Sequence, residues 1–289
     1  MIGNLLDRFS HAELRAWRNA AEELKEYRLQ QHFLLEGLRA VHDDELRDAL
    51  LSAKSATVSA DGWIRIVDYR YSLEPLSTRG SLHSGGRFNV GIDIDPSRFP
   101  AFPALYLAED YETAYVEKFG GNDPESTDRL AGHEYALRNP SSFTSFRLAG
   151  KVDNVFDVGS MVNVKSFAGV LRKFEMPAEL KSMARRLQVP KPWLISTASQ
   201  LVLLATNWRF WPVQYGIPSN PQVFGGLLMD AGFEAVLYPS TKGSGRCLAL
   251  FTRNLSASES VVKLKDQPPA GVQYPQLNKH TSSTSDEWK

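Results

Sequence analysis

Cysteine is almost missing from this chain. Cys247 stands alone in 289 residues, which excludes an intrachain disulfide and any cysteine-built zinc site. Long apolar runs are missing too: a stretch such as Leu201-Val202-Leu203-Leu204-Ala205 falls far short of the roughly 20 residues that span a bilayer. The six histidines (11, 32, 42, 83, 133 and 280) show no H-E-x-x-H or comparable spacing, so no metal site is expected. An excess of charge is also lacking. Lys+Arg and Asp+Glu both number 33, a balance without the broad basic footprint of a nucleic-acid binder. The first seventeen residues show no basic stretch followed by an apolar one, which predicts no secretory leader and a cytoplasmic protein with no membrane association.

What is present is a 43% hydrophobic chain, enough for one large domain or one domain with an extension. Ser10 and Glu13 have the spacing of a capping box, and Leu14, Trp17, Ala21 and Leu24 follow at helical intervals. Leu34, Leu38, Val41, Leu46, Ala49 and Leu50 continue the pattern in one or two further pieces. Residues 1–55 therefore read as an N-terminal helical extension, whose apolar stripe needs cover from the rest of the chain or from a second copy. From Thr57 the period changes. Strands are predicted at 57–59, 63–67, 104–108, 152–158, 235–238 and 247–251, with helices at 166–174, 178–187, 197–207 and 221–231. Asp110 is the expected N-cap of a helix that carries Glu112 and Glu117. The last stretch, from Gln267, is rich in Pro, Ser, Thr and Lys, and 259–289 reads as a mobile tail or one draped over the surface.

Four segments carry chemistry-bearing residues: Tyr69-Arg70-Tyr71, Gly85-Gly86-Arg87-Phe88-Asn89, Tyr106 with Glu117 eleven residues on, and Tyr238-Pro239-Ser240-Thr241. Each alone has an ordinary structural reading. A Gly-Gly pair marks a turn or close backbone approach, and here it lacks the spacing of a phosphate-binding Walker loop or a dinucleotide fingerprint. Arg70 and Arg87 also read as ion-pair partners, Glu117 as a solvated helix residue, Tyr71 and Tyr106 as core strand positions, and Ser240 as turn chemistry. Cys247 leads into an apolar run and reads as a buried strand residue rather than a nucleophile. Ser240 lacks a G-x-S-x-G context, which speaks against a serine hydrolase.

In this order, however, the segments resemble the RES-domain family of bacterial toxins. Tyr69-Arg70-Tyr71, Leu76-Ser77-Thr78-Arg79-Gly80, the Gly-Gly-Arg-Phe-Asn run, Leu105-Tyr106-Leu107-Ala108, Glu112-Thr113-Ala114-Tyr115-Val116-Glu117 and Pro239-Ser240 match the family pattern over roughly 60–255. Phe88 stands where the family has Trp, and 121–215 holds no matching motif. The resemblance implies an α+β fold like that of ADP-ribosyltransferases over 56–258, and an activity that degrades NAD by hydrolysis or phosphorolysis. It implies Glu117, Arg70 and Ser240 as catalytic residues. Arg70, Tyr71, Arg87, Tyr106 and Ser240 would hold the NAD substrate, with no prosthetic group. It also implies an Xre-like antitoxin that covers the site, and leaves homo-oligomerisation open. The chemistry agrees with the residue types: a carboxylate opposes the oxocarbenium-like charge of ribosyl transfer, and guanidinium suits a pyrophosphate. Two rival functions stay open, a mono-ADP-ribosyltransferase acting on a protein and a catalytically silent partner-binding module.

Overall fold

The computed structural model describes residues 10–120, 142–189, 197–206, 215–268 and 270–282, without the side chains of His11 and 204–206. Helix α1 (His11–Val41) begins at the predicted capping box, with Ser10 Oγ accepting from the Glu13 N–H and the Glu13 carboxylate accepting from the Ser10 N–H. It runs unbroken for 31 residues, and α2 (Asp43–Leu51) follows after His42. The extension is not an appendage. Leu46, Ala49 and Leu50 of α2 are buried in the main core, and Tyr27 of α1 packs with Met176, Leu180 and Ala184.

The strands are β1 (Ala56–Ser59), β2 (Ile64–Asp68), β3 (Leu105–Ala108), β4 (Phe143–Asp157), β5 (Ala235–Pro239), β6 (Arg246–Leu250), β7 (Val261–Leu264) and β8 (Gln276–Leu277). Between them lie α3 (Arg79–Ser84), α4 (Tyr111–Phe119), α5 (Met161–Leu171), α6 (Ala178–Arg186), α7 (Ala198–Thr206) and α8 (Asn220–Asp230). All form one mixed sheet in the order β2-β3-β6-β5-β4-β7-β8, with β1 on β4 and a further β2–β4 pairing. Because β2 pairs with both β3 and β4, the strands β2, β3, β6, β5 and β4 close into a ring. Among the described residues only the β4–β5 pairing is parallel.

Alternation along these strands separates two cores, as the period of two requires. Tyr106, Ala108, Val236, Tyr238, Cys247 and Ala249 face the helices, where they meet Phe88, Phe102, Phe156 and Phe224. Leu105, Leu107, Ala235, Leu237, Leu248 and Leu250 face the other way, against Trp63, Leu148, Val155 and Val262. Tyr106, Tyr238 and Cys247 thus share the face on which the candidate site lies.

Three expectations are corrected. Strand β4 starts nine residues before 152, because residues 143–151 pair with β2 and β7 and so do not alternate as one strand with one neighbour. The helix predicted at 166–174 starts earlier, at Met161, its apolar stripe beginning with Val164. The segments 259–268 and 270–282 do not form a tail outside the domain: β7 extends the sheet, β8 pairs with β7, and Val262, Leu264 and Leu277 are buried beneath a polar composition. Residue 207 of a predicted helix, 269 and 283–289 of the tail, and 121–141, 190–196 and 207–214 of the unmatched stretch lie outside the described residues. Among the described residues no helix is long and apolar enough to cross a membrane.

Helix α1 is held to the body partly by His32, which is buried edge-on against Phe33 and Phe99 with ring centroids 5.4 Å apart in each pair. Its Nε2 lies 3.9 Å from Glu36 Oε2, too far for a hydrogen bond. Burial, with Arg39 and Arg98 nearby, pushes the imidazole down to about 4. The folded protein therefore keeps His32 neutral where the unfolded chain takes up a proton. Stability is complete above about pH 6.5 and falls as pH drops toward 4, by roughly 3 kcal/mol in all. Urea unfolding at pH 7 and pH 4 is expected to show this loss, and a His32→Phe variant to lack most of it. An equal acid loss in that variant would place the titrating group elsewhere.

Candidate active site

The motif Gly85-Gly86-Arg87-Phe88-Asn89 forms a buried loop rather than a helix start. Its keystone is Asn89, fully buried, whose Nδ2 donates to the carbonyls of Ser81 and Phe102, each at 2.8 Å. The Asn89 Oδ1 accepts from the Tyr106 hydroxyl at 2.8 Å, and that hydroxyl accepts from the Phe88 N–H at 2.9 Å. Gln222 braces the loop from α8. Its Oε1 accepts from the Ser219 N–H as the helix cap, and its Nε2 donates to the Asn89 carbonyl at 3.1 Å. Two glycines permit this packing: a Cβ on Gly86 would stand 2.4 Å from the Tyr106 hydroxyl, and one on Gly225 would stand 2.0 Å from the Phe88 carbonyl oxygen. Phe88 fills its buried position against Tyr238, with centroids 4.8 Å apart.

Arg87 is thereby fixed with 6% of its side chain exposed. Its guanidinium lies over the Tyr238 ring, 4.9 Å from the centroid. The Nη2 donates to Thr241 Oγ1 at 3.0 Å and stands 3.5 Å from Glu117 Oε2. The Nη1 is buried and has no hydrogen-bond partner among the described residues. An unpaired buried guanidinium N–H is costly, so this edge is a place for an acceptor oxygen.

Glu117 arrives from α4, which starts where predicted: Asp110 Oδ1 accepts from the Thr113 N–H at 2.7 Å. Its carboxylate keeps 22% exposure, so it can meet a ligand where Arg87 largely cannot. Ser240 Oγ donates to Glu117 Oε1 at 2.6 Å and accepts from the N–H groups of Lys242 and Gly243 at 3.1 and 2.9 Å. A hydroxyl has one proton and two lone pairs, so these contacts use all that Ser240 has. Its proton is aimed at Glu117. The same turn is tied to α4 by Lys242 Nζ, which donates to the Glu117 carbonyl at 3.0 Å.

Arg70 and Tyr71 lie apart from this cluster. They occupy a 3-10 turn (Tyr69–Tyr71) after β2, exposed, with the Arg70 guanidinium 4.7 Å above the Tyr71 ring. Arg70 makes no ion pair with Glu117. The turn is held beside α4 through Asp68, whose carboxylate meets Lys118 at 2.8 Å and Arg70 at 3.7 Å. Tyr106 is placed differently from an open ribose ligand: its hydroxyl is spent within the loop, and burial pushes the phenol well above its usual range. Burial likewise holds the Cys247 thiol up to about 12, so it is no thiolate.

Sequence reasoning assigned no role to several residues that the structure places here. Asn89 was visible as the end of the Gly-Gly-Arg run. Thr241 and Gln222 carried no signal of their own. Arg65 on β2 alternates like any strand residue, yet it is a half-buried cation with no carboxylate partner among the described residues, donating to the carbonyls of Pro75, Ser77 and Tyr106 at 2.7, 2.7 and 2.9 Å. Burial lowers it to about 10, still charged at neutral pH, and it fastens the segment before α3 to β3.

Comparison with known proteins agrees with the motif order. None of the curated proteins compared matches the chain. One solved chain, from the crystal structure of the M. tuberculosis MbcT–MbcA toxin–antitoxin complex, shares 13% identity at a TM-score of 0.39, covering 84% of this chain and 97% of that one. The family model described as the RES domain matches residues 63–272, which spans β2 to the turn before β8 and contains every site residue above. The chain belongs to the RES domain family.

Proposed function

We propose that this protein is a RES-type toxin that cleaves the nicotinamide–ribose bond of NAD. The observation that carries the reading is the convergence on one carboxylate: Glu117 is held by the Ser240 hydroxyl on one oxygen and faces Arg87 on the other. In the reaction the C–N bond breaks and its electron pair leaves with nicotinamide, while positive charge builds on the anomeric carbon. A fixed, partly exposed carboxylate stabilises that charge as it develops. A water that loses a proton, or a phosphate oxygen, then bonds to the carbon, giving ADP-ribose or its 1-phosphate. The pyrophosphate needs cationic partners. Arg70, exposed on the turn beside α4, is the guanidinium that a ligand can reach. Tyr71 presents a flat face next to Arg70. In the cell this activity would deplete NAD, and an antitoxin of the Xre-like kind would restrain it by covering the site.

The test is direct. Purified protein is incubated with NAD, with and without phosphate, and the products are identified by mass spectrometry. Free ADP-ribose or ADP-ribose phosphate with nicotinamide supports the proposal. ADP-ribose attached to a protein would reassign the enzyme as a transferase, and undiminished NAD at high protein concentration would overturn cleavage altogether.

A further inference from the structure

An arginine and a carboxylate brought together in a buried site ordinarily close into a two-point fork with N···O distances near 2.8 Å. Arg87 and Glu117 do not. A single nitrogen, Nη2, approaches Oε2, and only to 3.5 Å. The side chains around them explain the gap. The nearer contact of Nη2 is Thr241 Oγ1 at 3.0 Å, and the face of the guanidinium rests on the Tyr238 ring. Ser240 in turn holds the other carboxylate oxygen, Glu117 Oε1, at 2.6 Å. The adjacent residues Ser240 and Thr241 thus take hold of the two opposite charges separately.

We propose that Thr241, with the Tyr238 ring beneath, is a positioning residue that keeps Arg87 beside Glu117 without letting the pair close, so that the carboxylate stays available to substrate. This rests on the NAD-cleaving reading of the site. A closed fork would satisfy both charges internally. Glu117 would then meet the developing ribosyl cation already neutralised. Thr241 supplies a neutral acceptor that competes for Nη2 and costs the site no charge. Its place is well anchored: the turn is pinned to α4 through Lys242 Nζ on the Glu117 carbonyl and through the Gly245 N–H on Thr113 Oγ1 at 3.1 Å. Thr241 itself is exposed, so its hydroxyl supports little of the core.

The experiment compares Thr241→Val, which keeps the shape and removes the acceptor, with Thr241→Ser, which restores it. Expected for Thr241→Val is a fall in kcat of about tenfold, the size of one charge-assisted hydrogen bond misplaced, with KM changed less than about threefold and Tm unchanged or raised. Thr241→Ser should recover most of the lost kcat. Nitrogen-15 NMR of the arginine side chains gives a readout that needs no turnover: the Arg87 resonances should shift in the Val variant and return in the Ser variant. Wild-type kcat with unmoved Arg87 resonances in Thr241→Val would overturn the proposal. So would a loss of Tm parallel to the loss of activity, or a Ser variant no better than Val. If the wild-type protein consumes no NAD, the functional reading fails on its own, and the arginine resonances still decide whether Thr241 holds Arg87.

Discussion

Glu117→Gln is expected to lose NAD turnover by a hundredfold or more while the fold stays intact. The amide keeps the volume of the side chain, and its oxygen can still accept the Ser240 proton that now reaches Oε1 at 2.6 Å. What disappears is the negative charge. In its place an N–H group faces the Arg87 guanidinium, donor against donor, at the position where Oε2 now lies 3.5 Å from Nη2. Losing one preorganised electrostatic contact to a transition state costs about 3 kcal/mol, which sets the expected size. Because Glu117 is partly exposed near the end of a short helix and not part of either core, circular dichroism and Tm should change little. Mass spectrometry of NAD and nicotinamide gives the rate, and in cells the variant should no longer inhibit growth. Turnover within a fewfold of wild type would remove Glu117 from the mechanism. Glu112, exposed in the first turn of the same helix, would then be the next carboxylate to test.

Asn89→Ala is expected to be the most damaging change to the site that touches no substrate. Its side chain closes three contacts in a fully buried position, two to carbonyl oxygens and one from Tyr106. Alanine would leave the Ser81 and Phe102 carbonyls and the Tyr106 proton without partners. A buried unpaired group costs about 1–3 kcal/mol, and with some relaxation the sum is roughly 3 kcal/mol. For a chain of this size that lowers Tm by roughly 5 °C. Activity should fall much further than stability at temperatures where the variant is still folded, because Arg87 sits two residues earlier on the loop that Asn89 holds. Thermal melts and NAD assays on the same preparation separate the two effects. A variant with wild-type Tm and turnover would show that the Tyr106, Gln222 and glycine contacts hold the loop without Asn89.

The family relationship was legible because it is written in short, ordered runs. Gly-Gly-Arg-Phe-Asn, Leu-Tyr-Leu-Ala and the Glu112 to Glu117 segment each report a local geometry: a loop that needs close backbone approach, a strand, a capped helix. The strand faces were legible for the same reason. Alternation in 104–108, 235–238 and 247–251 sorts the residues of each strand between two faces, and the pairing of the strands then brings Tyr106, Tyr238 and Cys247 to one side. Capping followed suit, since Ser10 with Glu13 and Asp110 with Thr113 are contacts three residues apart.

The rest depended on partners that no local pattern names. Ser240 and Glu117 lie 123 positions apart, and Arg87 and Thr241 154. Nothing in Pro-Ser-Thr shows that one hydroxyl will hold an anion and the next a cation. Tyr106 has the composition of a ligand tyrosine, yet its hydroxyl closes a loop from another segment. The Pro-, Ser- and Thr-rich end has the composition of a tail, yet Val262 and Leu264 pair with β4, Leu277 pairs with β7, and all three are buried in the second core. Side-chain periodicity is set by backbone geometry over a few residues, so the sequence alone determined which residues face inward and in what order the motifs run. Hydrogen-bond partners are set by which inward faces meet, and only the closing of the sheet through β2, β3 and β4 decided that Glu117, Ser240, Thr241 and Arg87 stand within reach of one another.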